Sequence, residues 1–174
     1  MAAPVVFILD VDGVLTDGTF YYSEQGKIMK RFGADDSDAL SLLVPFLEVR
    51  FVTGDKRGFG ITSKRIVEDM KMPLDLVSTI KRCEWIAERY AMEDVIYMGD
   101  GIFDHYVMKE VGYAIAPANA DRNALSCADY VTKRPGGDRA VAEACLHIME
   151  KFFEPFDPNV FPKTLKITSG VWTV

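Results

Sequence analysis

Short apolar runs separated by stretches of helical periodicity constrain this chain more than any other feature. Val5-Val6-Phe7-Ile8-Leu9 is apolar at every position, as in a strand buried on both faces. Val49–Val52, Leu74–Val77, Val95–Met98 and Tyr113–Ala116 read as further strands. Between and after them, apolar residues recur at helical spacing over about 36–48, 60–71, 79–90, 103–110, 119–126 and 138–153. In the 79–90 stretch, Ile80, Cys83, Ile86 and Tyr90 form what reads as one buried stripe. This alternation predicts an α/β fold: a Rossmann-like parallel sheet with right-handed crossovers and helices on both faces.

Residues 17–32 break the alternation. They read as strands Thr19–Tyr22 and Lys27–Phe32 around a Glu-Gln-Gly turn. A β-hairpin therefore follows the first strand where a crossover helix would stand, and its place beside that strand's carboxyl end suits a lid or a subunit contact. No cap domain is expected. Residues 1–153 make one domain, and 154–174 make a proline-containing tail expected to lie over the domain or over a neighbouring subunit.

The net charge of -6 argues against nucleic acid as a partner, but not against a small phosphorylated molecule, because a metal and local cations can invert the field of a site. Cys83, Cys127 and Cys145 show neither zinc spacing nor a disulfide framework. They read as small buried hydrophobes suited to a reducing cytoplasm. The first apolar run lacks a basic leader, and no run is long enough to span a membrane, so a cytoplasmic protein without a membrane partner is expected.

The chemistry-bearing residues fall at the ends of the predicted strands, where the ligand crevice of a parallel sheet lies. Asp10-Val11-Asp12-Gly13 ends the first. Of two such acids, one can attack phosphorus while the other protonates the departing oxygen. Gly13 would let backbone N–H groups approach a phosphate. A calcium loop is the other use of this spacing, but it needs a distant glutamate and flanking helices, not a buried strand. Thr53-Gly54 ends the second strand with a hydroxyl and exposed N–H groups. Lys81, in the first turn of a predicted helix, opposes the helix dipole unless an anion compensates it, and Arg82 beside it is the competing cation. The fourth strand ends in Gly99-Asp100-Gly101-Ile102-Phe103-Asp104, an oxygen-only set that favours Mg²⁺. His105 adjoins this loop and could see substrate, but it reads as a partly exposed histidine without catalytic duty, and so does His147 in mid-helix.

That order of motifs resembles the haloacid dehalogenase superfamily. Its capless branch, typified by the 3-deoxy-D-manno-octulosonate 8-phosphate phosphatases and including nonulosonate 9-phosphate phosphatases, is the nearer likeness. It is carried by residues 10–18, the hairpin with Lys30 and Phe32, Thr53-Gly54, Lys81, Gly99-Asp100 with Asp104, Val107-Met108, Ala128–Thr132 and Gly136-Gly137. The resemblance implies an Mg²⁺-dependent phosphomonoesterase acting on a small phosphorylated sugar acid. Asp10 is then the nucleophile that becomes an aspartyl-phosphate, and Asp12 the general acid/base. Mg²⁺ would be held by Asp10, the Asp12 carbonyl and Asp100; Lys81, Thr53, Gly54, Gly13 and Thr16 would serve the phosphate. It also implies a homotetramer in which one subunit's hairpin closes a neighbour's site. The chain departs from the pattern at Gly101, where a second acid is usual, at Asp55, where arginine is common, at Ser37, and in the late loop 136–143. The alternatives are a phosphatase for another sugar or polyol phosphate, and a non-catalytic oligomerisation or regulatory domain of the same fold.

Overall fold

The computed structural model describes residues 3–160. β1 (Val6–Asp10) is followed by a tight loop and by an antiparallel hairpin, β2 (Tyr21–Ser23) and β3 (Gly26–Met29). Then come α1 (Asp35–Leu43), β4 (Glu48–Thr53), α2 (Phe59–Ser63) continuing through a π-helical turn at Lys64–Asp69, and β5 (Leu74–Leu76). A 3₁₀ turn, Thr79–Lys81, leads into α3 (Arg82–Ala87). The second half runs β6 (Val95–Met98), α4 (His105–Met108), β7 (Tyr113–Ala116), α5 (Arg122–Cys127), β8 (Tyr130–Val131) and α6 (Ala140–Phe152).

The main sheet has the order β5-β4-β1-β6-β7-β8, with every pairing parallel. β1 is central, between β4 and β6, and all five of its residues, four apolar and then Asp10, are buried. Its alternate side chains feed two cores. Phe7 and Leu9 join Leu40, Leu43, Ile66, Ala144 and Ile148 on the face covered by α1, the α2 segment and α6. Val6 and Ile8 join Ile86, Val107 and Ala124 on the face of α3, α4 and α5. Each of the larger side chains among them contributes roughly 1.5–3 kcal/mol through burial. The chain leaves β1 towards β4 and later returns to β6 on its other side, so the crevice at this switch point opens at the carboxyl ends of β1, β4 and β6.

The predicted strands and the hairpin are all present, with the hairpin arms shorter than expected. β8 was not expected; two residues of Tyr-Val carry too little periodicity to announce a strand. The 79–90 stripe needs correction. Ile86 is buried, but Ile80 is 71% exposed, and Arg82 is buried in its place. The 3₁₀ turn advances the side-chain direction faster per residue than an α-helix, so the helical phase extrapolated back to Ile80 is wrong. Of the cysteines, Cys145 is buried, while Cys83 and Cys127 are partly exposed. No helix among the described residues is long and apolar enough to cross a membrane. Residues 154–160 are exposed; the remaining tail, including Phe161 and Trp172, lies outside the described residues.

Candidate active site

Asp10 is the last residue of β1, and the loop after it is held by its own polar groups. Asp10 Oδ1 accepts from Val11 N at 2.7 Å, and Thr16 N donates to Val11 O at 3.0 Å, closing the turn. Thr16, fully buried, accepts on its hydroxyl from Gly13 N (3.3 Å) and Gly18 N (3.2 Å). The Gly136-Gly137 step lies across the same loop, with Gly137 N donating to Val14 O at 3.1 Å. Gly13 has φ +99, and a Cβ there would come within 2.0 Å of Asp100 Oδ2. The glycine is therefore required by the carboxylate that crosses it. Two expectations change: the Thr16 hydroxyl and the Gly13 N–H, both assigned to phosphate, are consumed inside the loop.

Across the crevice, Asp100 follows β6 and Asp104 stands one turn later. Oxygens of Asp10, Asp100 and Asp104 lie within 4.8 Å of one another. Asp104 is fully buried and its oxygens are taken. Oδ1 accepts from Arg82 Nη1 (2.9 Å) and the Tyr97 hydroxyl (2.6 Å), and Oδ2 accepts from Asp100 N (3.1 Å) and Gly101 N (2.8 Å). Asp104 thus shapes the loop that presents Asp100. Asp100 Oδ1 is buried and has no hydrogen-bond partner among the described residues.

The cation facing these acids is Arg82. Its guanidinium spans both Asp10 oxygens, Nη2 to Oδ1 and Nη1 to Oδ2, each at 2.9 Å, and Nη1 also reaches the Tyr97 hydroxyl at 2.8 Å. Lys81, expected here, instead faces solvent, 67% exposed, and pairs with Glu84 at 3.0 Å. The reason is the phase error that misplaced Ile80: the first residue of α3 proper points inward, and the last residue of the 3₁₀ turn points away. Sequence alone had one signal for Arg82, its inward spacing four residues before Ile86.

Three carboxylates against one guanidinium leave two negative charges uncompensated in a buried place. Burial pushes the Asp10 carboxyl up to about 6, with Arg82 opposing and Asp104 adding to the rise. Asp100 is pushed up to about 8, by burial first and then by the charges of Asp10 and Asp104. An oxygen-only cluster with a two-charge deficit and an unpartnered buried oxygen fits a hard divalent cation.

The outer wall carries the other predicted residues. Thr53, buried at the end of β4, donates its hydroxyl to Asp12 Oδ2 at 3.2 Å and accepts from Asp55 N at 3.1 Å. Gly54 is exposed at the mouth. Asp12 Oδ1 is 2.7 Å from Lys30 Nζ, which sequence reasoning quoted in the hairpin without giving it a role. His105 is half-buried, with Nδ1 2.8 Å from Ile102 O. A separate groove of about 750 Å³, lined by Tyr130, Arg134, Arg139, Glu143 and His147, includes none of these carboxylates.

Residues 84–144 match the model of the haloacid dehalogenase-like hydrolase family. A 3-deoxy-D-manno-octulosonate 8-phosphate phosphatase of Salmonella typhi is 35% identical over 150 residues, covering 80% of this chain and 76% of the relative. The Yersinia pestis phosphatase of the same name is similar in structure, with a TM-score of 0.72 at 31% identity, covering 84% of this chain and 81% of that one. The cobalt-bound enzyme of Haemophilus influenzae gives 0.74 at 26% identity, covering 84% and 88%. The chain belongs to the haloacid dehalogenase-like hydrolases. Within them it stands on the capless phosphatase branch, and it is an enzyme of that type.

Proposed function

We propose that the protein hydrolyses the phosphate monoester of a small sugar acid, of the 3-deoxy-octulosonate 8-phosphate or nonulosonate 9-phosphate type, through an aspartyl-phosphate on Asp10. The observation that carries this reading is the Asp10 carboxylate at the carboxyl end of β1, gripped by Arg82 and facing Asp100. One Asp10 oxygen attacks phosphorus and the ester P–O bond breaks. Asp12, aimed by Thr53, gives its proton to the departing alkoxide, then takes one from the water that cleaves the aspartyl-phosphate to free phosphate and Asp10. Arg82 offsets the charge that gathers as two anions meet. The Asp10 and Asp100 carboxylates with the Asp12 carbonyl would hold Mg²⁺, which supplies charge neutralisation and polarises the phosphoryl oxygens. The cobalt-bound Haemophilus relative supports a divalent cation in this role. The names of the relatives support the sugar acid.

The hairpin exposes Tyr21, Tyr22, Ile28 and Met29, which supports a homotetramer in which these side chains meet a neighbour, in a cytoplasmic protein. A monomeric mass by light scattering would remove that assembly.

The test is phosphate release from phosphorylated sugar acids, simple sugar phosphates and an aryl phosphate, with Mg²⁺ and with a chelator. Metal-dependent release concentrated on one sugar acid is expected, and Asp10→Asn should reduce it by about a thousandfold or more while leaving the fold intact. An Asp10→Asn protein as active as wild type would refute the nucleophile. No release from any ester by a folded, metal-loaded protein would favour the non-catalytic alternative.

A further inference from the structure

Lys30 has no exposed side-chain surface, and its ammonium forms ion pairs with two carboxylates and donates a hydrogen bond to one hydroxyl. It stands 2.7 Å from Asp12 Oδ1, 2.9 Å from Asp55 Oδ2 and 2.8 Å from Thr62 Oγ1. A buried ammonium is costly unless carboxylates compensate it, and here two do. Buried between these two carboxylates, with no side-chain surface open to a ligand, Lys30 acts on the reaction through what it holds.

We propose that Lys30 is a positioning residue for Asp12, and that Asp55 is the counter-charge that keeps it there. The proposal rests on the phosphatase reading above. Asp55 is built for this task. Its Oδ1 accepts from Gly58 N at 3.0 Å, while Oδ2 receives Lys30 and also Lys27 at 2.5 Å. Lys27 in turn lies over the Phe20 ring, 3.3 Å from its centroid. Burial works against the Asp55 charge, but the bonds from Lys27 and Lys30 prevail and hold its carboxyl down at about 2. A Cβ on Gly58 would come 2.1 Å from Asp55 Oδ2, 2.8 Å from Lys27 Cδ and 2.9 Å from Lys30 Cε. The two lysine stems therefore cross this loop where only glycine leaves room. Two cations and two carboxylates balance, so Lys27 satisfies half of Asp55 and leaves Lys30 shared with Asp12. Lys30 then fixes one Asp12 oxygen while the Thr53 hydroxyl fixes the other. The hairpin thereby aims the group that serves the leaving oxygen, within a single chain.

A residue that acts only through the proton donor matters in proportion to the leaving group's need for a proton. The experiment compares phenyl phosphate, whose leaving oxygen is basic, with p-nitrophenyl phosphate, whose phenolate departs unaided, at saturating Mg²⁺. In Lys30→Met, kcat/KM should fall about tenfold or more on phenyl phosphate and stay within about threefold on the nitrophenyl ester. Asp55→Asn keeps the local shape and should shift the ratio the same way by a smaller factor, so it carries the test if Lys30→Met does not fold. Equal losses on both esters, or none on either, would overturn the positioning role. Wild-type protein inactive on both and on every phosphorylated sugar acid would instead overturn the phosphatase reading beneath it.

Discussion

Two buried cations organise the two halves of the site, and they arrive by different routes. Arg82 comes from the first turn of a core helix and spans Asp10, Asp104 and Tyr97 at once, which a planar fork of donors can do. Lys30 comes from the exit of a hairpin whose outer face is exposed, and its point charge serves Asp12, Asp55 and Thr62. The inner half keeps a two-charge deficit, whereas the outer half, with Lys27, is balanced. The inner half therefore calls for a divalent cation, and the outer half is complete without one. On the proposed mechanism, Asp10 thus depends on a metal and on core packing, and Asp12 on the hairpin.

The strongest way to break this comparison is Arg82→Met. It leaves Asp10 and Asp104 buried without their cation, so kcat/KM should fall about a thousandfold on either aryl ester. Removing one partner of a buried pair should also cost roughly 3–5 kcal/mol in urea unfolding. If Lys30→Met were equally damaging on p-nitrophenyl phosphate, the two halves would not be separable.

A smaller effect sharpens the charge contrast. The Asp100 carboxyl is raised from 3.8 to about 8 in the folded protein, so the folded state holds a proton that the unfolded state has released. The stability this gives is complete below pH 4 and is lost as pH rises through about 8. Chelated protein should therefore melt at lower temperature at pH 8 than at pH 5. Added Mg²⁺ should raise Tm more at pH 8, by at least about 3 °C. An equal rise at both values would mean that the cluster does not carry the deficit.

Smallest of all is Lys81→Ala. An exposed lysine paired only with Glu84 should change kcat/KM by less than about twofold and stability by less than about 1 kcal/mol. A loss approaching that of Arg82→Met would return Lys81 to the site.

Much of this was legible in the amino-acid sequence because it is local. A short unbroken apolar run such as Val6–Leu9, set among helical stretches, reads as a buried strand, and an acid directly after it stands at the strand's end. That logic located Asp10, Thr53 and Asp100, and the same alternation predicted the parallel sheet with its hairpin. Tertiary structure alone decided which polar groups remain free. Thr16 and Gly13 spend their hydrogen bonds on their own loop, and Asp104 spends its oxygens on Arg82, Tyr97 and two backbone N–H groups. The choice between Lys81 and Arg82 turned on a single 3₁₀ turn, whose rotation per residue no apolar pattern reports. Lys30 met Asp12 and Asp55 only through folding, because an ion pair between residues far apart in sequence leaves no periodic trace. The chain dictates where its carboxylates stand; packing dictates which cation each one meets.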